Sequence, residues 1–202
     1  MEMRCERVTA VLPDEAAYRA AFLALPEWRR RKCDALRFSA DRLRSVAVWE
    51  LLRRMLDAKG LEANALEVSE NEFGKPAFDP SFGLHFSLSH AGDRVMAALS
   101  EAEIGCDVEQ VVSVDEELVK AVLTDAERTS LAGLSGPDRD RAFVRLWVRK
   151  ESYAKAVGRG IGFDLASFSA LGLPPQPRWS WQDFDFGDGH LGCVAFSSNF
   201  PC

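Results

Sequence analysis

The sequence predicts an α+β fold made of two similar halves, with a site in the cleft between them. In both halves, helices precede a late pair of strands. A long Trp-containing helix begins with Asp41-Arg42 in the first half and with Asp140-Arg141 in the second. We therefore predict an N-terminal subdomain of residues 1–100 and a C-terminal subdomain of residues 101–202.

Start and stop signals predict the helices of the first half. Pro13-Asp14 opens one helix, Pro26 starts a second that is basic, and Ser39 starts a third that ends at Gly60. Apolar residues recur at helical spacing in the third helix and predict that it is buried at the centre of this half: Leu43, Val46, Ala47, Leu51 and Met55.

Short apolar runs predict the strands of the first half. One is Val8 to Leu12. Two more, Leu84 to Ser89 and Val95 to Ser100, are joined by His90-Ala91-Gly92-Asp93 and are expected to form a hairpin. Residues 69–83 contain several Gly and Pro turn signals and are predicted to be a loop.

The second half begins with a short predicted strand, Ile104 to Val108. Thr124-Asp125-Ala126-Glu127 fits a capping box, in which a hydroxyl and a carboxylate satisfy the first amides of a helix that ends near residue 133. A long amphipathic helix follows from Asp138 until Gly158 ends it. Three strands are predicted after it, separated by Pro- and Gly-containing breaks: Ser167 to Ala170, Trp179 to Phe184 and Leu191 to Ser197.

Composition excludes several classes of protein. No apolar run approaches the roughly 20 residues of a membrane span, and the first residues lack the apolar segment of a signal peptide, so we expect a cytoplasmic protein without a membrane partner. The first 100 residues carry 15 basic and 15 acidic side chains and the rest carry 10 and 16, which disfavours nucleic acid as a partner. The local run Arg29-Arg30-Arg31-Lys32 could still hold a phosphate or meet an acidic partner.

The cysteines form no Cys-x-x-Cys pair and are predicted to be free thiols: Cys5, Cys33, Cys106, Cys193 and Cys202.

Two carboxylates in the second half fall on the same face of a predicted strand. Asp107 and Glu109 are two residues apart, so their side chains point the same way and repel each other. A magnesium ion would relieve that repulsion, and a solvated strand end is the alternative. With only three histidines in the chain, a metal site built on imidazole is not expected.

Three other features could bind an anion or act on one. Ser89 and His90 lie where a strand ends at a turn, and Lys75 lies on a rigid Gly-Lys-Pro loop. A hydrogen-bonded turn histidine and an exposed loop lysine are the ordinary alternatives. Glu151 and Lys155 are spaced i,i+4 on the long helix, which by itself would predict a surface ion pair worth a few tenths of a kcal/mol.

Four fragments of the chain, taken in order, resemble the 4′-phosphopantetheinyl transferases of the Sfp type. They are Gly74-Lys75-Pro76, Phe-Ser-Leu-Ser-His at 86–90, Ile-Gly-Cys-Asp-Val-Glu at 104–109 and Trp-Val-Arg-Lys-Glu-Ser at 147–152. The resemblance runs from the basic helix at Pro26 to about Phe168. It implies two subdomains related by pseudo-twofold symmetry. It also implies an enzyme that moves the phosphopantetheine arm of coenzyme A onto a carrier-protein serine and releases adenosine 3′,5′-bisphosphate.

The resemblance also implies roles for individual residues. Asp107, Glu109 and Glu151 match the family's magnesium carboxylates, and Glu151 matches the residue proposed as general base. Lys155, one turn further on, would reach the pyrophosphate. Other positions match groups that bind the nucleotide and its phosphates: Arg29, Lys32, Arg44, Lys75, Ser89, His90 and Lys150. Four consecutive basic residues leave two registers open for Arg29 and Lys32.

The implied partners are coenzyme A and an apo acyl, aryl or peptidyl carrier protein, and the expected state is a monomer. The carrier is expected to dock through apolar residues between about 110 and 135, which could equally belong to the core: Val111, Val112, Val114, Leu118 and Leu123. Two other functions stay open. One is an inactive homologue that binds coenzyme A or a carrier without transfer, and the other is an unrelated carboxylate-metal phosphohydrolase.

Overall fold

The computed structural model of the protein describes residues 1–63, 66–159 and 162–198. The helices are Val8–Val11 (α1), Glu15–Leu23 (α2), Glu27–Ala35 (α3), Ser39–Asp57 (α4), Glu116–Val122 (α5), Asp125–Leu131 (α6) and Gly136–Ala156 (α7). The strands are Glu2–Arg7 (β1), Val68–Glu70 (β2), Pro76–Phe78 (β3), His85–Ala91 (β4), Arg94–Ser100 (β5), Ile104–Gln110 (β6), Trp179–Asp185 (β7) and His190–Ser197 (β8). This mixture confirms the predicted α+β class. Within these ranges no helix combines the length and the apolar character needed to cross a bilayer.

The first half is built on helix α4, which packs against an antiparallel sheet of order β1-β5-β4. Val46, Leu51 and Met55 have no exposed surface, which confirms the predicted buried helix except at Leu43, which is 36% exposed. Strands β4 and β5 form the predicted hairpin. Gly92 in its turn has a φ of 55°, a conformation that glycine adopts without strain.

The second half repeats this arrangement of one long helix on a three-stranded sheet. Helix α7 packs against an antiparallel sheet of order β6-β8-β7, and Phe143, Val148 and Ala154 are buried on its inner side. The capping box before α6 is formed as predicted. The Thr124 hydroxyl accepts from the Glu127 amide, and the Glu127 carboxylate accepts from the Thr124 amide.

The two sheets meet where strand β4 lies beside strand β6. Two serines of β4 make the link, because the Ser87 hydroxyl accepts from the Cys106 amide at 2.9 Å and the Ser89 hydroxyl accepts from the Val108 amide at 3.3 Å. An apolar cluster that includes Met96 of β5 and residues of β6 fills the space between the sheets. The ends of β4 and β6 that carry the predicted site residues therefore lie side by side.

The predicted strand Val8 to Leu12 is wrong. This segment contains the short helix α1, and the strand precedes it as β1, paired with β5. Val8, Val11 and Leu12 are buried while the two residues between them are exposed, a spacing of i, i+3 and i+4 that suits a helix. The edge strand β1 was missed because four of its six residues are charged.

Two predictions around loops also need correction. Residues 69–83 were expected to form a loop but contribute to the small antiparallel pair β2 and β3. The predicted strand Ser167 to Ala170 is absent from the described part of the chain, where Leu165–Ser167 forms a single 3₁₀ turn. Its backbone groups bind two buried side chains from other helices, as described below, and this takes the place of strand pairing. The predicted free thiols are confirmed for four cysteines, and Cys202 lies outside the described residues.

Candidate active site

A cavity of about 560 Å³ lies where α3, β4, β6 and α7 come together. Eight of the predicted site residues line it: Arg29, Lys75, Ser89, His90, Asp107, Glu109, Glu151 and Lys155. They come from both halves of the chain. Strand alternation and helical periodicity explain why the side chains from one element point into the cavity together. Asp107 and Glu109 are two residues apart on β6, and Glu151 and Lys155 are one turn apart on α7.

Asp107 is the most deeply buried of the acidic groups in the cavity. Its side chain is 3% exposed, and its Oδ1 accepts from the Ser89 hydroxyl at 2.7 Å and from Lys155 Nζ at 2.6 Å. Burial would lower the pKa of Lys155, but the Asp107 carboxylate beside it holds that pKa above its usual range. Asp107 and Lys155 therefore form a charged pair within the cavity.

Glu109 and Glu151 lie on either side of this pair and share its electrostatic field. Burial, followed by repulsion from Asp107, raises the pKa of Glu109 to about 7. The same two causes, in the same order, raise the pKa of Glu151. Lys155 opposes both shifts without cancelling them. The three carboxylates thus carry more negative charge than one lysine compensates.

The donor set fits a divalent cation. Oδ2 of Asp107 is buried, and no described group donates a hydrogen bond to it, so this oxygen has an unused lone pair. Oxygen ligands with excess negative charge are the ligands that magnesium prefers. The oxygens of Asp107, Glu109 and Glu151 do not all lie within 4.8 Å of one another, so holding one ion would require the side chains to move.

Basic and polar groups line the other side of the cavity. Arg29 lies over the Trp49 ring at 5.6 Å, and Lys75 Nζ donates to Ile104 O at 3.1 Å and to Ala156 O at 3.2 Å. Burial lowers the pKa of Lys75 to about 8. His90 keeps exposed surface, and partial desolvation, followed by the charges of Arg44 and Lys155, lowers its pKa. This side of the cavity offers cationic and hydrogen-bonding groups to an anion.

Lys150, which was expected among the substrate-binding residues, does not line this cavity. Its side chain has no exposed surface, and its Nζ contacts Glu127 Oε2 at 2.8 Å and Leu165 O at 2.8 Å, together with Phe168 O. Glu127 Oε1 accepts from the Ala170 amide at 2.6 Å. The buried pair therefore holds the 165–170 segment against α6 and α7, and neither of its residues lines the cavity.

Lys32 and Arg44 lie outside the cavity lining as well. Lys32 pairs with Glu70 and sits 5.8 Å from the Trp28 ring centre. Arg44 pairs with Asp41 and donates to Gly92 O at 3.2 Å, in a separate cavity of about 400 Å³ that shares His90 and Glu109 with the first. Of the two registers open for the basic helix, the structure brings Arg29 to the cavity.

Two aromatic residues in the cavity wall were not singled out from the sequence. Phe73 and Trp147 both line it. Trp147 precedes Glu151 by four residues, and this i,i+4 spacing was a usable signal that the two share a helix face. Phe73 precedes the Gly74-Lys75-Pro76 loop, and no periodicity marks it.

The residues considered for carrier docking divide between core and surface. Leu123 has no exposed surface and belongs to the core of the second half, whereas Val112 is 56% exposed. The others of the set are partly buried and pack against the same core: Val111, Val114 and Leu118.

A second acidic cluster lies at the junction of the β4–β5 and β7–β8 turns. Asp93, Asp188 and His190 offer atoms within 4.8 Å of one another. Arg7 contacts both carboxylates at 3.3 Å, and Arg94 contacts Asp188 at 2.5 Å. Two guanidinium groups balance the two carboxylates, so the cluster has no excess negative charge to bind a cation. Its ion pairs instead connect the two turns.

Comparison with known proteins identifies the chain's relatives. Residues 103–186 match the 4′-phosphopantetheinyl transferase superfamily. The chain is 30% identical over 145 residues to the 4′-phosphopantetheinyl transferase psf-1 of Bacillus pumilus, covering 70% of this chain and 61% of that protein. It is 29% identical over 142 residues to the 4′-phosphopantetheinyl transferase Sfp of Bacillus subtilis, covering 70% and 63%. It is 38% identical over 104 residues to the 4′-phosphopantetheinyl transferase AcpT of Salmonella typhimurium, covering 50% and 54%. The chain thus spans less than two thirds of the length of each of these relatives.

Proposed function

Because the chain belongs to the 4′-phosphopantetheinyl transferase family of the Sfp type, we propose that it transfers the 4′-phosphopantetheine arm of coenzyme A to a serine of an apo carrier protein. The serine oxygen attacks the phosphorus that bears the pantetheine arm. The bond from that phosphorus to the adenosine bisphosphate breaks, and adenosine 3′,5′-bisphosphate leaves. The carrier can be of the acyl, aryl or peptidyl type.

One observation supports this proposal above the others. A single cavity brings three carboxylates, Asp107, Glu109 and Glu151, opposite a set of cationic and polar groups. Binding of a magnesium pyrophosphate needs both kinds of group. The negative charge of the pyrophosphate requires basic partners, and its metal ion requires carboxylates.

In the proposed enzyme, Asp107, Glu109 and Glu151 hold a magnesium ion, with the partnerless Oδ2 of Asp107 as one donor. When bound, the ion supplies positive charge that neutralises the pyrophosphate and the charge developing on the leaving group. Burial and, after it, repulsion from Asp107 raise the pKa of Glu109 and Glu151, and the same positive charge would relieve that repulsion.

Glu151 is the proposed general base. Its carboxylate accepts the proton of the attacking serine hydroxyl, directly or through a water molecule. Burial is the main cause that raises the pKa of Glu151, and a carboxylate with a raised pKa is a better proton acceptor when ionised than an exposed one.

The phosphate-binding residues in this proposal are the ones that line the cavity. Arg29, Lys75 and His90 supply positive charge or hydrogen bonds to the nucleotide phosphates, and Lys155 with Ser89 faces the pyrophosphate. Lys32 and Arg44 remain candidates only if they leave their present partners, and Lys150 is left out of the binding set.

We place this enzyme in the cytoplasm as a monomer of two subdomains, residues 1–100 and 101–202, related by a pseudo-twofold axis with the active site between them. The two helix-on-sheet units, α4 on β1-β5-β4 and α7 on β6-β8-β7, support the internal relationship. Light scattering after size-exclusion chromatography tests the monomeric state, since a dimer would give twice the molar mass of one chain.

The function is tested by mixing the protein with coenzyme A, magnesium and apo carriers of the acyl, aryl and peptidyl types. We expect the intact mass of at least one carrier to increase by one phosphopantetheine group, and omission of coenzyme A to abolish the increase. Coenzyme A binding without any transfer would identify an inactive homologue. Release of phosphate without modification of a carrier would identify a phosphohydrolase. Either result overturns the proposal.

A further inference from the structure

Lys155 and Asp107 both line the cavity and contact each other there. The Nζ of Lys155 lies 2.6 Å from Asp107 Oδ1 and 3.1 Å from the Ser89 hydroxyl, which donates to the same oxygen. The Lys155 side chain is 29% exposed, whereas that of Asp107 is 3% exposed, so the lysine is the more accessible member of the pair.

A divalent cation bound to Asp107, even through the partnerless Oδ2, would lie next to the Lys155 ammonium group. Magnesium binds carboxylate oxygens at about 2.0–2.1 Å, so on either oxygen of Asp107 it would be close to the lysine charge. The two cations would also repel each other in a partly desolvated site. Lys155 and a divalent cation are thus competitors for one carboxylate.

We propose that Lys155 is the counter-ion of Asp107 until coenzyme A binds, and that the divalent cation enters together with the pyrophosphate, which takes over the lysine. This inference rests on the proposed function, because it requires an anionic substrate in the cavity. Moving Lys155 away from Asp107 with no anion to receive it would leave an unpaired ammonium group in a partly buried site, which is unfavourable. A pyrophosphate removes that penalty, so the cation and coenzyme A each promote binding of the other.

Cation affinity provides a readout that does not depend on transfer. Mn²⁺, used in place of Mg²⁺ for its paramagnetic signal, is titrated into the whole protein with and without saturating coenzyme A and with no carrier present. For the unmodified protein we expect coenzyme A to tighten Mn²⁺ binding by about tenfold or more, within the usual range of coupling between two ligands.

The variant Lys155→Met separates competition from simple ligand binding. If Lys155 competes with the cation, its removal leaves the carboxylates uncompensated, and Mn²⁺ binding without coenzyme A becomes about tenfold tighter. The matched control is Arg149→Met, which removes one positive charge from the same helix but breaks a pair with Asp183 that lies outside the cavity. We expect the control to leave Mn²⁺ affinity unchanged.

The proposal fails if Lys155→Met binds Mn²⁺ as weakly as the unmodified protein or more weakly. It also fails, without any variant, if the unmodified protein binds Mn²⁺ equally well with and without coenzyme A. Both results leave the transfer reaction free to occur, so they would overturn the competition and not the proposed function. Absence of transfer in a protein that shows the expected coupling would overturn the function alone.

Discussion

Gly105 of strand β6 lies directly beneath Ser152 of helix α7, so close that a methyl group at Gly105 would come within 2.1 Å of the Ser152 carbonyl oxygen. The same methyl group would lie 2.3 Å from the Ala156 amide nitrogen. Both neighbours are helix backbone and cannot rotate away. This contact sets the distance between the strand that carries Asp107 and the helix that carries Glu151.

We therefore predict that Gly105→Ala pushes α7 away from β6. Overpacking of this kind typically costs about 1–3 kcal/mol, and we expect at least that loss in the free energy of unfolding measured in urea. Transfer activity should fall as well, because the carboxylates on the two elements separate. Gly133→Ala is the matched control, since no heavy atom lies within 4 Å of its added methyl group. Unchanged stability of Gly105→Ala would contradict the packing described here.

Periodicity and turn chemistry were sufficient to predict most of the elements around the site. Helix α7, the β4–β5 hairpin and the capping box at Thr124 follow from local spacing, which sequence displays directly. The mostly charged strand β1 does not, because it is recognisable only through its pairing with β5. The 165–170 segment failed for a related reason, since its backbone partners are side chains that are distant in the sequence.

The site residues also differ in whether their position could be predicted from local sequence or depends on tertiary packing. Asp107 and Glu151 line one cavity, as the family resemblance implied, whereas spacing alone predicted only a surface ion pair for Glu151. Lys150 is adjacent to Glu151 in the sequence, and only the rotation of the helix shows that it points into the core. That rotation depends on tertiary packing, which no short motif records.

We predict that Lys150→Met destabilises the fold without weakening coenzyme A binding. Removal of one partner from a buried ion pair costs about 3–5 kcal/mol, because the other charge stays buried and unpaired. The double variant Glu127→Gln/Lys150→Met should recover part of this loss in a urea titration. The exposed Lys120→Met serves as the control for loss of a lysine charge. Weakened coenzyme A binding with normal stability would return Lys150 to the substrate site.

We predict that Glu151→Gln abolishes transfer while the protein stays folded. Loss of a general base typically lowers the rate by about 10²–10⁴-fold, and loss of a metal ligand would add to that. Asp107→Ala should have a similar effect on transfer. Carrier mass measured over time gives the rate, and circular dichroism checks the fold. The exposed Glu117→Gln should transfer at the normal rate. Near-normal turnover of Asp107→Ala would remove that residue from the proposed metal site.

We predict that Arg29, and not its neighbour Arg31, recognises the substrate. Arg29 lines the cavity, whereas Arg31 is exposed and pairs with Glu27 one helical turn away. Arg29→Gln should weaken coenzyme A binding by about 10- to 150-fold, which corresponds to one charge-assisted hydrogen bond of about 1.5–3 kcal/mol. Arg31→Gln should have no effect.

Calorimetry with coenzyme A and with its dephospho form, which lacks the 3′-phosphate, locates the contact of Arg29. If Arg29 binds the 3′-phosphate, its substitution weakens binding of coenzyme A and leaves binding of the dephospho form unchanged. Equal losses for both ligands would assign Arg29 to another part of the nucleotide.

We predict that Asp188 makes the stability of the protein depend on acidity. Arg94 donates two hydrogen bonds to its carboxylate, at 3.0 and 2.5 Å, and these hold the pKa of Asp188 well below its usual range. A carboxyl group with a lower pKa in the folded state stabilises the fold when ionised. This contribution is complete above a pH of about 4, where the group is also ionised in the unfolded chain, and it is lost as the pH falls through the folded pKa.

Asp188→Asn should therefore lower the free energy of unfolding at pH 7, and the difference from the unmodified protein should shrink below pH 4. The exposed Asp34→Asn is the control, with no such pH-dependent difference expected. A stability difference for Asp188→Asn that stays constant down to strongly acid pH would show that hydrogen bonding to the neutral group, and not its charge, holds the two turns together.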